Sequence, residues 1–298
     1  MKNHFFKPLQ VIAFVLLVFI FILIIQCAPP HEAESIRVMS FNIRYDNPDD
    51  GDNRWENRKE MVASTLRFHG VDIAGLQEAL HGQVADLETL LPQYAWFGVG
   101  RDDGKEAGEY SPIFYLKNRF SLLESSTFWL SETPDTPGSR GWDAACNRIV
   151  TWGKFEDKNT RDIFYVFNTH FDHRGETAGV QSAKLLLNRI DAIAETHPVI
   201  LTGDFNAATS DSAYTILTRA SNTIPGVSDA VTLSESGHYG STHTFNGFGE
   251  EMEPGHRIDF IFVRNVGVVL HHGVIAEKSD GRFASDHYPV IAEIRIEK

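Results

Sequence analysis

Six short stretches of this sequence set an acid, an amide or an imidazole directly beside an apolar run. Ser40-Phe41-Asn42 ends one run and Leu76-Gln77-Glu78 another. Asn168-Thr169-His170 closes a third, and Asp204-Phe205-Asn206 follows the VILTG of Val199 to Gly203. Arg257-Ile258-Asp259 and Ser285-Asp286-His287 introduce the last two. Any one of these reads as a turn or cap, because turns need Asp, Asn and Gly. Six together suggest groups gathered at one rim of a sheet structure. Glu78, Asp204 and Asp286 are hard oxygen donors, and no His-x-x-x-His pair accompanies them. Such donors favour Mg²⁺, with Mn²⁺ or Ca²⁺ as alternatives, over Zn²⁺. His170 and His287 suit proton transfer or stabilisation of a charged phosphoryl group, and Asp259 could orient His287. The chemistry these parts describe is metal-assisted hydrolysis of a phosphate ester.

The elements that must carry these groups follow from hydrophobic period. Ile36 to Asn42 alternates as a strand, and Arg54 to His69 places Met61, Val62, Thr65 and Leu66 at helical spacing before Gly70. Val71 to Leu76 is a second strand, and His81 to Leu91 a helix closed by Pro92. Ser111 to Leu116 and Ser121 to Leu130 flank Lys117-Asn118-Arg119, which predicts a hairpin. Arg148 to Phe155 and Ile163 to Phe167 predict another, and Ser131 to Asn147 between them a long loop. A helix from Glu176 to Glu195 follows, with Val180, Ala183, Leu186, Leu187 and Ile190 on one face. After VILTG come a short helix at Ser212 to Thr218 and strands at Ile258 to Val263, Val268 to Ile275 and Tyr288 to Ile296. About ten strands, some joined by hairpins and some by helices, predict two mixed sheets packed face to face with helices outside. This four-layer α/β/β/α sandwich is favoured over a (β/α)8 barrel, because hairpins replace helices through the middle of the chain.

The blocks MSFNIR, LQEA, NTHFDH, LTGDFN, RIDFIF and SDHYPV, in this order from Met39 to Val290, resemble the endonuclease/exonuclease/phosphatase (DNase I-like) superfamily, in a bacterial exported branch. The resemblance implies the same four-layer sandwich. It implies that Glu78 is the main metal ligand, assisted by Asn42 and Asp286. Asp204 and Asn206 would position the attacking water and the phosphoryl oxygens, and His170 would contact the scissile phosphate. His287, paired with Asp259, would act in proton transfer or transition-state stabilisation. The implied reaction is in-line attack of water on phosphorus, with either Asp204 or His287 as base.

Candidate substrate-binding residues lie in the irregular loops. Arg44, Arg140 and Arg148 could bind phosphate, Trp142 could stack on a sugar or base, and His243 could line the pocket. The acidic stretch from Asp46 to Arg54 reads as a solvated loop. His271-His272 reads as surface or packing, and His69, His81 and His197 as helix-end residues. A net charge of −13 argues against affinity built on neutralising a long polyanion, so no stable nucleic-acid complex is expected. The substrate is then a small phosphorylated metabolite, sugar or lipid headgroup, or nucleic acid handled one phosphate at a time. Two alternatives are an inactive envelope binding protein of the same fold and a glycoside hydrolase using a carboxylate pair. The latter gives His170 and Asp286-His287 no natural role.

The N-terminus is set apart. Lys2 and Lys7, an apolar run from Val11 to Ile25, and Gln26-Cys27-Ala28-Pro29-Pro30 describe an export signal. Cys27 stands where a lipoprotein signal carries its acylated cysteine, although Gln26 replaces the usual small residue before it. The expected division is a signal or anchor at 1–30, a tether at 31–35 and one domain at 36–298. The expected location is the bacterial envelope, exported and held to the membrane through this anchor. Cys146 is the only other cysteine, so no internal disulfide is expected.

Overall fold

The computed structural model describes residues 34–219, 225–249 and 256–296. Cys27, the export segment and the first part of the tether lie outside the described residues. β1 (Ile36–Asn42) leads through a 3-10 turn at Pro48–Asn53 into α1 (Trp55–Phe68), then β2 (Ile73–Gln77), α2 (His81–Leu90), β3 (Tyr94–Phe97) and β4 (Ile113–Leu116). The middle holds β5 (Phe120–Trp129), β6 (Ile149–Asp157), β7 (Ile163–His170), α3 (Glu176–Ala194), β8 (Val199–Asp204) and α4 (Ser212–Thr218). β9 (Ser228–Asp229), α5 (Ala230–Leu233), β10 (His238–Gly240), β11 (Asp259–Arg264), β12 (Val268–Val274) and β13 (Val290–Arg295) complete it.

The strands form two mixed sheets, ordered β10-β12-β13-β1-β2-β4-β3 and β5-β6-β7-β8-β11-β9. β1 is parallel to β2 but antiparallel to β13, and β8 is parallel to β7 but antiparallel to β11. Between the sheets lie Val38, Ile73, Phe155, Phe164, Ile200 and Ile261. Phe167, Leu201 and Phe262 on the far side of the six-stranded sheet meet Ala183, Leu186, Leu187 and Ile190 of α3. Their spacing in α3 is the period that puts an apolar stripe on one helix face. Met39, Phe41 and Leu76 on the outer face of the other sheet meet Val62 and Leu66 of α1 and Leu87 of α2. Three buried clusters thus separate four layers, the α/β/β/α sandwich. Among the described residues no helix is long and apolar enough to cross a membrane.

One expected pairing is corrected. β4 and β5 are not a hairpin, since β4 pairs with β2 and β3 while β5 pairs with β6 of the other sheet. The chain crosses between sheets at Arg119, whose guanidinium lies 2.9 Å from both Asp72 and Asp157. Phe120 then enters the inter-sheet core. A short polar turn between apolar runs carries the same sequence signal for either connection. Three short strands, β3, β9 and β10, are also present beyond those predicted.

Beneath the rim, a buried polar hub ties the sheets together. Asn168 Nδ2 donates to the carbonyls of Leu76 and Pro112, and its Oδ1 accepts from Gln77 Nε2 and Thr202 Oγ1. Every donor and acceptor of this amide is used, as burial demands. Gly75 makes room for it: a Cβ there would stand 2.0 Å from Thr202 Oγ1 and 2.6 Å from Asn168 Oδ1.

Candidate active site

Strand register gathers the polar strand ends. His170 stands opposite Asp204 in the parallel pair β7–β8, and Asp259 stands opposite Asp204 in the antiparallel pair β8–β11. One imidazole and two carboxylates therefore lie side by side across three strands. In the other sheet Asn42 stands opposite Gln77, so Glu78 follows at the same end. β13 runs antiparallel to β1, which brings the preceding Asp286 and His287 back to that end. Ser285 Oγ secures the arrival by donating to the Asn42 carbonyl at 2.7 Å. Asn42 Nδ2 then bridges the sheets, donating to Glu78 Oε1 and Asp204 Oδ2 at 3.0 Å each. Asn42, Glu78, His170, Asp204, Asn206, Asp259, Asp286 and His287 are thus brought together.

Their charges are set by burial and by one another. His287 Nδ1 lies 2.9 Å from Asp259 Oδ2, and Phe245 packs edge-on against the imidazole at 5.0 Å. Thr244 Oγ1 accepts from the Ile258 and Asp259 backbone N–H groups, which fixes the start of β11. Burial alone would lower the His287 pKa, but the Asp259 and Asp204 carboxylates hold it well above the usual histidine value. Burial, then the neighbouring Asp259, pushes the Asp204 carboxyl up to about 7. His170 is driven the other way, well below the ordinary value, by burial and by the Arg148 and Arg101 guanidiniums. Three residues around the rim, Glu78, Asn206 and Arg44, hold left-handed backbone with φ of 62°, 46° and 57°. Such conformations cost energy in non-glycine residues and cluster where side chains must be aimed.

These groups can hold a divalent metal. Glu78, His170 and Asp204 offer ligand atoms within 4.8 Å of one another, as do Asp204, Asp259 and His287. The Glu78, Asp204 and Asp286 carboxylates make a hard, anionic donor set. Burial raises both Asp204 and Asp286, and a cation among them offsets the cost of holding these acids ionised. The residues present therefore fit such an ion.

The remaining candidates are distributed around this cluster. Arg44 forms a two-point ion pair with Asp50 at 3.0 and 3.1 Å and approaches Asp286 at 3.7 Å. The acidic stretch after Tyr45 thus contributes the partner that holds Arg44. Arg148 is buried, donates to His173 Nδ1 at 3.0 Å, and lies 3.5 Å from Asp172. Asp172 accepts backbone N–H groups from Ala145, Cys146, Arg174 and Gly175. These bonds overcome the burial cost and bring its carboxyl down to about 2. Arg140 is exposed and reaches the Ala145 carbonyl, while the Trp142 backbone N–H donates to Glu132. Neither bonds to the central cluster. His243 packs against Tyr288, with ring centroids 5.6 Å apart. His272 is buried, its Nδ1 lying 3.1 Å from His238 Nδ1.

Sequence reading passed over several contributors. Glu109 pairs with Arg101 at 2.6 Å and stands 3.9 Å from His170 Nδ1. It lies in a turn-rich acidic segment with no spacing that singles it out. Thr244 and Phe245 support Asp259 and His287, and the run Ser241-Thr-His-Thr-Phe245 beside His243 was their one signal. Asp172, at the end of the His170 block, organises the loop that presents Arg148.

Residues 39–287 match the model of the Endonuclease/Exonuclease/phosphatase family. A solved endonuclease/exonuclease/phosphatase from Bacteroides vulgatus is 44% identical, with 88% of this chain and 99% of that one covered and a TM-score of 0.84. A mannosyl-6-phosphatase from Bacteroides thetaiotaomicron is 37% identical, with 87% and 99% covered and a TM-score of 0.79. Nocturnin from Mus musculus is 25% identical, over 89% of this chain and 65% of its own length. The chain spans between 40% and 65% of the length of some curated relatives it matches. It belongs to the endonuclease/exonuclease/phosphatase family.

Proposed function

We propose that this chain hydrolyses a phosphate ester with the help of a divalent metal, water attacking phosphorus in line with the departing alcohol. The observation that carries the reading is the buried Asp259–His287 pair at 2.9 Å, set beside Asp204, His170 and Asn206. Asp259 orients His287 and keeps it protonated, so its Nε2–H can meet charge developing on the phosphoryl group. Asp204 and Asn206 orient the attacking water, and His170, a neutral imidazole whose Nε2 accepts from the Asn206 amide, holds that amide in place. Glu78, with Asn42 and Asp286, would hold Mg²⁺, which would supply neutralisation of the charge developing on the phosphoryl group. The relative named for mannosyl-6-phosphate chemistry and the net charge of −13 both favour a small phosphorylated molecule over a nucleic-acid strand.

The test is ester hydrolysis by the purified full chain, read as inorganic phosphate from sugar and inositol phosphates, phosphocholine from sphingomyelin, and nucleotides from RNA and DNA. The expected result is turnover of at least one ester, abolished by EDTA and restored by Mg²⁺ or Mn²⁺. No turnover with any ester under Mg²⁺, Mn²⁺ or Ca²⁺ contradicts the reading. The N-terminal residues support a second proposal, export and lipid anchoring at Cys27. Labelled fatty acid should enter the wild-type chain and not Cys27→Ala; equal labelling contradicts it.

A further inference from the structure

Beside Asn206 a hollow of about 390 Å³ opens between the start of α3 and the segment that follows β8. His173, Arg174 and Glu176 border it from the α3 side, Asn206 and Asp211 from the other, and Gly179 contributes to its wall. Its volume falls within the ~300–1,000 Å³ of ordinary small-molecule pockets. The Arg174 and Glu176 side chains are exposed and have no ion pair among the described residues. His173 accepts from Arg148 at Nδ1, so its neutral ring carries the proton on Nε2.

Gly179 is the informative residue. It is the fourth residue of the 19-residue helix α3, a helical position at which glycine is less favourable than alanine. A Cβ at this position would meet nothing within 4 Å, and the backbone is not left-handed there. Neither packing nor conformation calls for glycine. A large side chain at this position would project into the hollow, whose wall Gly179 shares with Asn206.

We infer that this hollow receives the alcohol part of the phosphate ester, and that the alcohol is a neutral, hydroxyl-rich group such as a sugar ring. The inference rests on the phosphoesterase reading above. Hydroxyls both donate and accept, and the lining includes the Glu176 and Asp211 carboxylates, the Arg174 guanidinium and the His173 ring, with Val180, Phe205, Ala207 and Ala213 as apolar surface for the C–H face of a sugar. A polyanionic strand would meet Glu176 and Asp211, and an apolar alcohol would strip water from charged groups without replacing its hydrogen bonds.

The test fills the hollow. Gly179→Phe should raise KM for hexose phosphates at least ~10-fold while the inhibition constant of inorganic phosphate stays nearly constant, the pattern of lost alcohol binding alone. Gly179→Ala, which adds little volume, should leave both constants near wild type. Arg174→Gln combined with Glu176→Gln, at exposed positions, should raise the same KM without altering phosphate inhibition. Unchanged KM in the phenylalanine and double-glutamine variants, with phosphate release retained, overturns this inference alone. Absence of hydrolysis of any ester by the wild-type chain overturns it together with the reading it rests on.

Discussion

The side-chain amide nitrogen of Asn206 stands 3.0 Å from His170 Nε2 and 3.0 Å from the Phe171 carbonyl oxygen. A carbonyl accepts only, so the amide nitrogen faces both groups and donates to each. His170 Nε2 is then an acceptor, and the neutral ring carries its proton on Nδ1, toward Glu109. Nitrogen-15 spectra near neutral pH should report His170 as the neutral Nδ1–H tautomer. A resonance pattern of an Nε2–H ring or an imidazolium would contradict this arrangement. Asn206→Asp removes the amide that ties His170 to the Phe171 carbonyl and adds an anion beside Asp204; in the proposed reaction it should lower kcat by ~100-fold or more, the scale of a disturbed acid–base group.

In the proposed reaction Asp259 acts through His287. Replacing it by asparagine keeps the shape but removes the charge that holds the imidazole protonated and oriented. Asp259→Asn should reduce kcat/KM by ~10²–10⁴-fold, the range associated with a lost acid–base group. Circular dichroism should stay native. Activity within a few-fold of wild type would show that the pair does not serve the reaction.

The hub under the rim should be intolerant of one methyl group. At Gly75 a Cβ would intrude on Thr202 and Asn168, both fully buried. Gly75→Ala should destabilise the fold by about 1–3 kcal/mol, as overpacking does. Urea unfolding measures it, and an unchanged midpoint would mean that the hub can yield.

Acid stability should depend on His272, which is buried and sits against His238. Burial, with Arg257 and His238 nearby, pushes its pKa down to about 3. The unfolded chain takes up this proton below about 6.5 and the folded chain does not. The contribution to stability is therefore complete above pH 6.5 and is lost as pH falls toward 3. Between pH 7 and pH 5 the wild type should lose about 2 kcal/mol more than His272→Gln. Equal losses in urea titrations of the two proteins would contradict the assignment.

Much of this site was legible because strand ends carry it. Asn42, Glu78, His170, Asp204, Asp259 and His287 each flank a run of apolar residues, and register then does the gathering. Helices α1 and α3 were equally readable, since their apolar residues keep a helical spacing, and Pro92 marked the end of α2. What local pattern could not carry was partner choice between sheets. Lys117-Asn118-Arg119 has the composition of a hairpin turn, and only Asp72 and Asp157, distant in sequence, reveal the crossing at Arg119. Glu109 was hidden for the same reason, since its meaning lies in His170 and Arg101 rather than in its neighbours.

The central claim is that water attacks phosphorus at this rim. It is tested most directly by running the Mg²⁺-supported reaction on a turned-over phosphomonoester in ¹⁸O-labelled water. The account predicts one labelled oxygen in the released phosphate and none in the alcohol. Label in the alcohol instead would place the broken bond between carbon and oxygen and contradict it.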